Sequence, residues 1–250
     1  MFLSVDIGNT NITLGIFDRD NVIATFRLIS DINLDVDKYE KLIRDALKGF
    51  DINECGMASV VDELTITIKK ACERIIESKV FILNPNYTEL KLDSTVAATI
   101  GADRLANACA ILDYKLPVIV VDMGTAVTFD IVSSDKSFLG GIIMPGVNIG
   151  LKSLNEHTSK LPLISAKESE KAIGNNTESC ILSGVIRGTA CAIEGLLSQC
   201  EKELGKKATI VATGGQCMLI SKYISRKFDY TDINLTLIGI KKAYFHAKTM

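Results

Sequence analysis

Short apolar runs broken by polar turns alternate along the chain with stretches of helical spacing, and both halves open in the same way. Met1–Val5 is apolar, Asp6-Ile7-Gly8-Asn9-Thr10-Asn11 is small and polar, and Ile12–Phe17 is apolar again. That order predicts strand, tight turn, strand. The cluster Asp18–Asn21 predicts a second turn, and Val22–Leu28 a third strand. The period then lengthens. Tyr39, Leu42, Ile43, Ala46 and Leu47 predict a helix over 36–48, and Leu64, Ile68, Ala71, Cys72, Ile75 and Ile76 another over 64–77. Strands are predicted at 56–61 and 80–83. Residues 86–100 read as a long irregular connection, a length that usually carries function. A helix is predicted from Gly101 to about Tyr114, stopped before Pro117.

The second half repeats this opening. Strand Val118–Val121 leads into Asp122-Met123-Gly124-Thr125-Ala126, then strand Val127–Val132, a charged turn Ser133–Lys136 and strand Phe138–Ile143. Helices are predicted over 147–156 and 178–203. Strand Ala208–Ala212 then runs into Thr213-Gly214-Gly215, followed by a helix to about Tyr223 and a last one over 239–247. The offset between Asp6 and Asp122 is far longer than a solenoid repeat. It predicts a duplicated domain, with residues 1–114 as one copy and 115–250 as the other.

Composition removes several classes. The net charge of −2 gives no electrostatic reason to expect nucleic acid or an anionic membrane as a partner. No stretch of about twenty apolar residues is free of charge, so no membrane span is expected. The N-terminus has no basic region ahead of its apolar run, unlike a signal peptide. The seven cysteines include no CxxC pair and lie mostly in apolar segments. They read as buried thiols of a cytoplasmic protein rather than a disulfide or zinc framework. His157 and His246 share no metal-ligand spacing.

The two aspartate turns are the candidate chemistry. Glycine lets a backbone approach a bulky anion, and successive turn N–H groups with Asn and Thr side chains donate to phosphate oxygens. The Asp6 carboxylate suits a hydrated Mg²⁺ bridging those oxygens. An Asp–Gly turn between strands is also ordinary hairpin chemistry. The matched pair, each with a threonine, favours two related domains facing one nucleotide. No GxxxxGK[ST] loop is present, so any phosphate cradle is built another way. Asp103 stands at a predicted helix start, where the dipole favours a carboxylate, and an N-cap role stays open beside a chemical one.

Four motifs occur in order: Asp6-Ile-Gly-Asn-Thr10; Gly101-Ala-Asp-Arg104; Asp122-Met-Gly-Thr-Ala126 with Gly140-Gly-Ile-Ile-Met-Pro-Gly146; and Thr213-Gly-Gly215. Together they resemble the type III pantothenate kinases, nearly end to end. The resemblance implies an α/β fold of two duplicated ribonuclease-H-like (actin-like ATPase) domains, each a mixed sheet flanked by helices. It implies ATP-dependent phosphorylation of pantothenate, the first step of coenzyme A biosynthesis, in a cytoplasmic homodimer.

The resemblance also implies residue roles. Asp6, Gly8, Asn9, Thr10 and Asn11 face the phosphates of ATP, with Mg²⁺ on Asp6 directly or through water. Gly124, Thr125, Gly214 and Gly215 form the second phosphate-binding set, and Thr213 opens its last turn. Asp103 accepts the proton of the substrate hydroxyl. Gly101, Ala102, Arg104 and Thr177 contact pantothenate. Asp122 holds a monovalent cation, K⁺ or NH₄⁺. Interior glycines Gly184, Gly188 and Gly195 on the long helix imply either a dimer contact or close packing within one subunit.

Three positions depart from the pattern. Ser94–Ile100 lacks the Asn-Pro approach of relatives, Asn175 stands where Lys is common, and Asp62 stands where Pro is common. These bear on substrate affinity more than on reaction type. Competing expectations are another small-molecule kinase of the actin-like group and a non-catalytic regulatory protein of the same family. Gly101–Arg104 argues against the first; the presence of Asp6 and Asp103 argues against the second.

Overall fold

The computed structural model describes residues 1–250 and resolves into two compact units. The first comprises Met1–Asp113, Lys136–Phe138 and Asn234–Met250; the second comprises Tyr114–Asp135 and Leu139–Ile233.

In the first unit the elements run β1 (Phe2–Ile7), β2 (Asn11–Asp18), β3 (Asn21–Ile29), α1 (Val36–Ala46), β4 (Glu54–Ser59), α2 (Asp62–Ile76), β5 (Phe81–Ile82), α3 (Ser94–Thr99) and α4 (Ala102–Ala110). The sheet order is β3-β2-β1-β4-β5. The meander β1–β3 is antiparallel, whereas β4 and β5 join in parallel. Period-two alternation turns Leu3, Val5 and Ile7 to one face, where they meet Ile12, Leu14 and Ile16 from β2 and Tyr39, Ile43, Leu64 and Ile68 from α1 and α2. Each such aliphatic side chain contributes about 1.5–3 kcal/mol when fully buried. Asp35 caps α1 by accepting from the Lys38 N–H at 2.9 Å.

The opposite face is covered by the C-terminal helix, Leu235–Ala247. Ser4 on that face donates its hydroxyl to the Leu237 carbonyl at 2.7 Å. A Cβ on Gly15 would lie 2.7 Å from Leu237 Cδ1, and one on Gly239 would lie 1.8 Å from the Ala106 carbonyl oxygen. Small residues therefore let this helix press against β2 and α4. The domain expectation of 115–250 differs here, because residues 234–250 complete the first unit.

In the second unit β6 (Val118–Met123), β7 (Ala126–Val132) and β8 (Phe138–Pro145) are followed by α5 (Val147–Glu156), α6 (Thr177–Leu182), a π-helical turn (Ser183–Arg187), α7 (Gly188–Leu204), β9 (Thr209–Thr213), α8 (Cys217–Ile220), a 3₁₀ turn (Ser221–Tyr223) and β10 (Tyr230–Thr231). The sheet order, β10-β9-β6-β7-β8, repeats the first element for element. Ile119, Val121 and Met123 pack with Phe129, Val147, Ile186, Ile193 and Leu197.

Thr177–Leu204 runs as one helix of 28 residues with a mean hydropathy of 1.5 over its most apolar stretch, enough by length and composition to cross a membrane. The same test is met by a helix lining a folded core, and Ile186, Ile193 and Leu197 are fully buried here. One of its central charges is engaged within the unit: Glu194 accepts from the Ser225 and Arg226 N–H groups at 2.7 and 3.0 Å.

Several expectations shift at element edges. Asp6 and Asp122 lie within their strands, one residue from the end, rather than in the turns. The irregular connection 86–100 contains α3, capped by Asp93 accepting from the Thr95 N–H. All seven cysteines are free thiols, but Cys180 and Cys191 are exposed and Cys200 is half-buried. These three lie on the long helix, whose outer face is small and polar rather than packed.

Candidate active site

The first unit gathers two motifs at the carboxyl ends of β1 and β4. Asp6 sits next to last in β1, in register with Thr13 of β2 and Ala58 of β4, and is half-buried. The Gly8 N–H donates to the Asn11 carbonyl at 3.0 Å, closing a tight hairpin whose tip, Asn9 and Thr10, is exposed. Ser30 braces the hairpin: its hydroxyl donates to the Gly8 carbonyl at 2.6 Å and its N–H to the Thr10 carbonyl at 3.1 Å. Asn9, Thr10 and Asn11 thus present polar side chains to solvent from a fixed backbone.

The start of α4 lies at the same strand ends. Val60, which follows β4, donates its N–H to the Ile7 carbonyl at 3.0 Å, and a Cβ on Gly101 would lie 3.7 Å from Val60 Cγ1. Gly101 itself is the N-cap of α4, and Asp103 is the second helical residue. The N-cap reading of Asp103 is therefore corrected: Gly101 takes that place. The Asp103 carboxylate bends back over the cap, 2.6 Å from where a Cβ on Gly101 would lie, and accepts from the Arg104 N–H at 2.7 Å. A side chain at position 101 would compete with the carboxylate for the space over the cap. The Arg104 guanidinium lies 5.7 Å from the centre of the Phe138 ring.

The second unit builds its own cradle around Asp122, next to last in β6 and paired with Thr213 of β9. The Gly124 N–H donates to the Ala126 carbonyl at 3.0 Å, and Gly146 donates to the Thr125 carbonyl at 3.2 Å. Gly214 adopts φ +96°, and a Cβ there would lie 2.5 Å from an Asp122 carboxylate oxygen and from the Met123 backbone. The Gln216 N–H donates to the Met123 carbonyl at 2.8 Å. Three glycines thus bring the Asp122 carboxylate, the 124–125 turn and the 213–215 turn into contact. Gly146 was legible as part of a motif, but its seat on the 124–125 turn was not.

Thr177 stands with a different set of residues. It begins α6, exposed, behind a capping box in which Asn176 accepts from the Ser179 N–H at 2.9 Å and the Ser179 hydroxyl oxygen accepts from the Asn176 N–H at 3.2 Å. A cleft of about 270 Å³ lies alongside, lined by Glu168, Glu170, Gly174, Asn175, Asn176 and Glu178 among others. No group of three or more His, Cys, Asp or Glu residues offers a metal cage.

The family model described as type III pantothenate kinase matches residues 2–199. The chain belongs to the type III pantothenate kinase family. A family member from Dehalococcoides mccartyi is 37% identical over 97% of this chain and 94% of its own length. One from Exiguobacterium sibiricum is 35% identical over 98% of both. Among solved structures, a conserved protein of the Baf family of transcriptional activators from Campylobacter jejuni superposes with a TM-score of 0.64 at 23% identity, over 99% of this chain and 100% of that one. That likeness is one of fold. The duplicated sheets are those of the actin-like ATPase fold.

Proposed function

We propose that this chain transfers the γ-phosphoryl group of ATP to the primary hydroxyl of pantothenate, opening coenzyme A biosynthesis, with Asp103 as the proton acceptor. Family membership supports the reaction class. The observation that best supports the role of Asp103 is its carboxylate held over a glycine N-cap at the strand ends that also carry Asp6. In phosphoryl transfer the protein mainly orients groups and neutralises charge. Asp103 orients the hydroxyl and takes its proton at a carboxylate oxygen. Arg104, the one cation of its tetrad, pairs with the pantothenate carboxylate or steadies Asp103. Gly101 and Ala102 let the substrate approach the backbone.

Asp6, with Gly8, Asn9, Thr10 and Asn11, faces the phosphates. One carboxylate with small polar donors, and no protein cage, suits Mg²⁺, which keeps waters and binds substrate phosphates. Mg²⁺ would be held by Asp6, directly or through water, and would neutralise phosphate charge. Gly124 and Thr125, with Gly214 and Gly215, form the phosphate-binding set for the nucleotide in the second unit. Asp122, half-buried against glycine turns, fits a weak monovalent site for K⁺ or NH₄⁺. Thr177 contacts pantothenate.

The working form is a homodimer in the cytoplasm. Gly184, Gly188 and Gly195 are exposed on the long helix, and a Cβ at any of them would meet nothing within 4 Å. Their small size thus serves no contact inside the chain, which favours a second copy over close packing within one subunit. Turnover is tested by coupling ADP release to pantothenate addition, with and without K⁺. Asp103→Asn is expected to lower kcat by about a hundredfold or more with unchanged melting. Near-normal turnover in that variant would remove Asp103 from the chemistry.

A further inference from the structure

Residues 158–176 form neither helix nor strand, and only Ile164 and Ser169 among them are buried. This segment ends on the turn Gly174-Asn175-Asn176-Thr177. Ile164 is an apolar anchor in the core of the second unit. Ser169 is a polar anchor, and its partners converge from two helical elements. Arg187 donates from Nη2 to the Ser169 carbonyl at 2.8 Å and the Glu170 carbonyl at 3.2 Å, and from Nε to the Ser169 hydroxyl oxygen at 3.2 Å. Tyr223 accepts from the Ser169 N–H at 2.7 Å. The Arg187 guanidinium in turn lies 4.7 Å from the centre of the Tyr223 ring.

The helix is built to do this. Ser183–Arg187 is a π-helical turn, a widening found often at functional sites. Both of its end residues reach the same segment: Ser183 donates its hydroxyl to the Ala172 carbonyl at 2.5 Å while Arg187 holds Ser169 and Glu170. Asn155 also donates from Nδ2 to the Leu161 carbonyl at 2.8 Å near the start of the segment, whereas the ion pairs Lys167–Glu178 and Lys222–Glu168 join exposed side chains and hold little. Beyond Ala172 the chain closes directly onto the helix start, since a Cβ on Gly174 would lie 2.4 Å from the Cys180 nitrogen. The position of the 174–177 turn therefore follows from how Ser169 and Ala172 are held.

We infer that Arg187, braced by Tyr223, is a positioning residue for pantothenate. It holds the 158–176 strap so that Thr177 and its turn meet the substrate, without touching substrate itself. The inference rests on the reading of Thr177 as a pantothenate contact. A planar fork donating to three acceptors of two successive residues fixes direction as well as distance. A misplaced binding turn raises KM, while the catalytic carboxylate, which belongs to the first unit and is not held by the strap, keeps kcat.

Steady-state kinetics and hydrogen exchange on Arg187→Ala, Arg187→Lys and Tyr223→Phe test this in the full-length protein. Arg187→Ala is expected to raise the KM for pantothenate about tenfold, with kcat within about threefold and the KM for ATP unchanged. Exchange should quicken over residues 166–177 and nowhere else. Arg187→Lys, which keeps a donor and loses the fork, should recover part of the KM. Should Arg187→Ala not fold, Tyr223→Phe removes one acceptor and keeps the ring, and a KM rise of about threefold is expected. An unchanged pantothenate KM, equal rises for both substrates, or unchanged exchange over 166–177 would overturn the strap. Thr177→Ala separates the two ideas. If it leaves the pantothenate KM unchanged, the reading of Thr177 fails, and the inference with it. If it raises that KM while Arg187→Ala does not, only the strap fails.

Discussion

Gly214→Ala asks whether the Asp122 cradle depends on a missing side chain. Two costs arise from the geometry. The backbone at Gly214 has φ +96°, a conformation that costs an L-residue about 1–3 kcal/mol. The added methyl would also sit 2.5 Å from an Asp122 carboxylate oxygen and from two Met123 backbone atoms. Relief requires moving β6 against β9, an overpacking cost of about 1–3 kcal/mol. The sum is roughly 2–6 kcal/mol, which lowers the melting temperature of a chain this size by roughly 5–20 °C. Because the atoms displaced are those of the cradle, the KM for ATP should rise as well. Gly49→Ala makes the same chemical change at a similar φ, +89°, where a Cβ meets nothing within 4 Å, and serves as the control that carries the backbone cost alone. Circular dichroism melts and ATP titrations of both variants decide the matter. A Gly214→Ala protein that melts with its parent and binds ATP as tightly would refute the argument.

Other outcomes follow from the same reasoning. Glu201, buried and paired with Arg226 at 2.7 Å and Lys207 at 2.7 Å, has its carboxyl pulled down to about 2, chiefly by Arg226. A depressed carboxyl contributes stability that is present above the unfolded value of 4.5 and lost as pH falls through about 2. The contribution is on the order of 3 kcal/mol, so urea midpoints measured from pH 5 to pH 2 should fall more steeply for the parent than for Glu201→Gln. Parallel curves would remove Glu201 from the acid limb. In the proposed dimer, exposed Cys191 lies among Gly188 and Gly195 and should react slowly with a thiol reagent until dilution separates the subunits. Fast labelling at concentrations where sedimentation reports a dimer would place the interface elsewhere. Asp122→Asn should abolish stimulation by K⁺ while leaving melting near that of the parent; a retained K⁺ response moves the ion to another site.

The repeated opening was readable because period-two runs and aspartate–glycine turns are local signals, and both sheets share one strand order as duplication requires. Less local facts were not. Asp6 and Asp122 read as turn residues, yet each takes its place inside a strand because its neighbours' ladder continues past it. The two-residue strand β10 carries too little pattern to register, whereas β5 falls inside the strand expected over 80–83. The C-terminal helix is apolar around much of its circumference, so its sequence says it will be covered but not by which unit. Arg187 was legible only as one of the charges that interrupt the apolar stretches. Its partners Ser169 and Tyr223 are far off in sequence, and a π turn leaves no compositional trace. Gly214 was visible as a motif, whereas the contact that demands it involves Asp122, on another strand.

The first unit is finished only by the last stretch of chain. Residues 234–250 are made after the whole second unit, yet Leu237, Ile240 and Ala243 are buried in the first. During synthesis β1, β2 and β4 must therefore wait with the Gly15 and Gly56 face open until the ribosome has delivered everything between. In that interval the face of the first sheet that this helix covers stays open to water, while the second unit can close as soon as Ile233 is clear of the exit tunnel. A stop codon near residue 234 would consequently damage the half that was translated first.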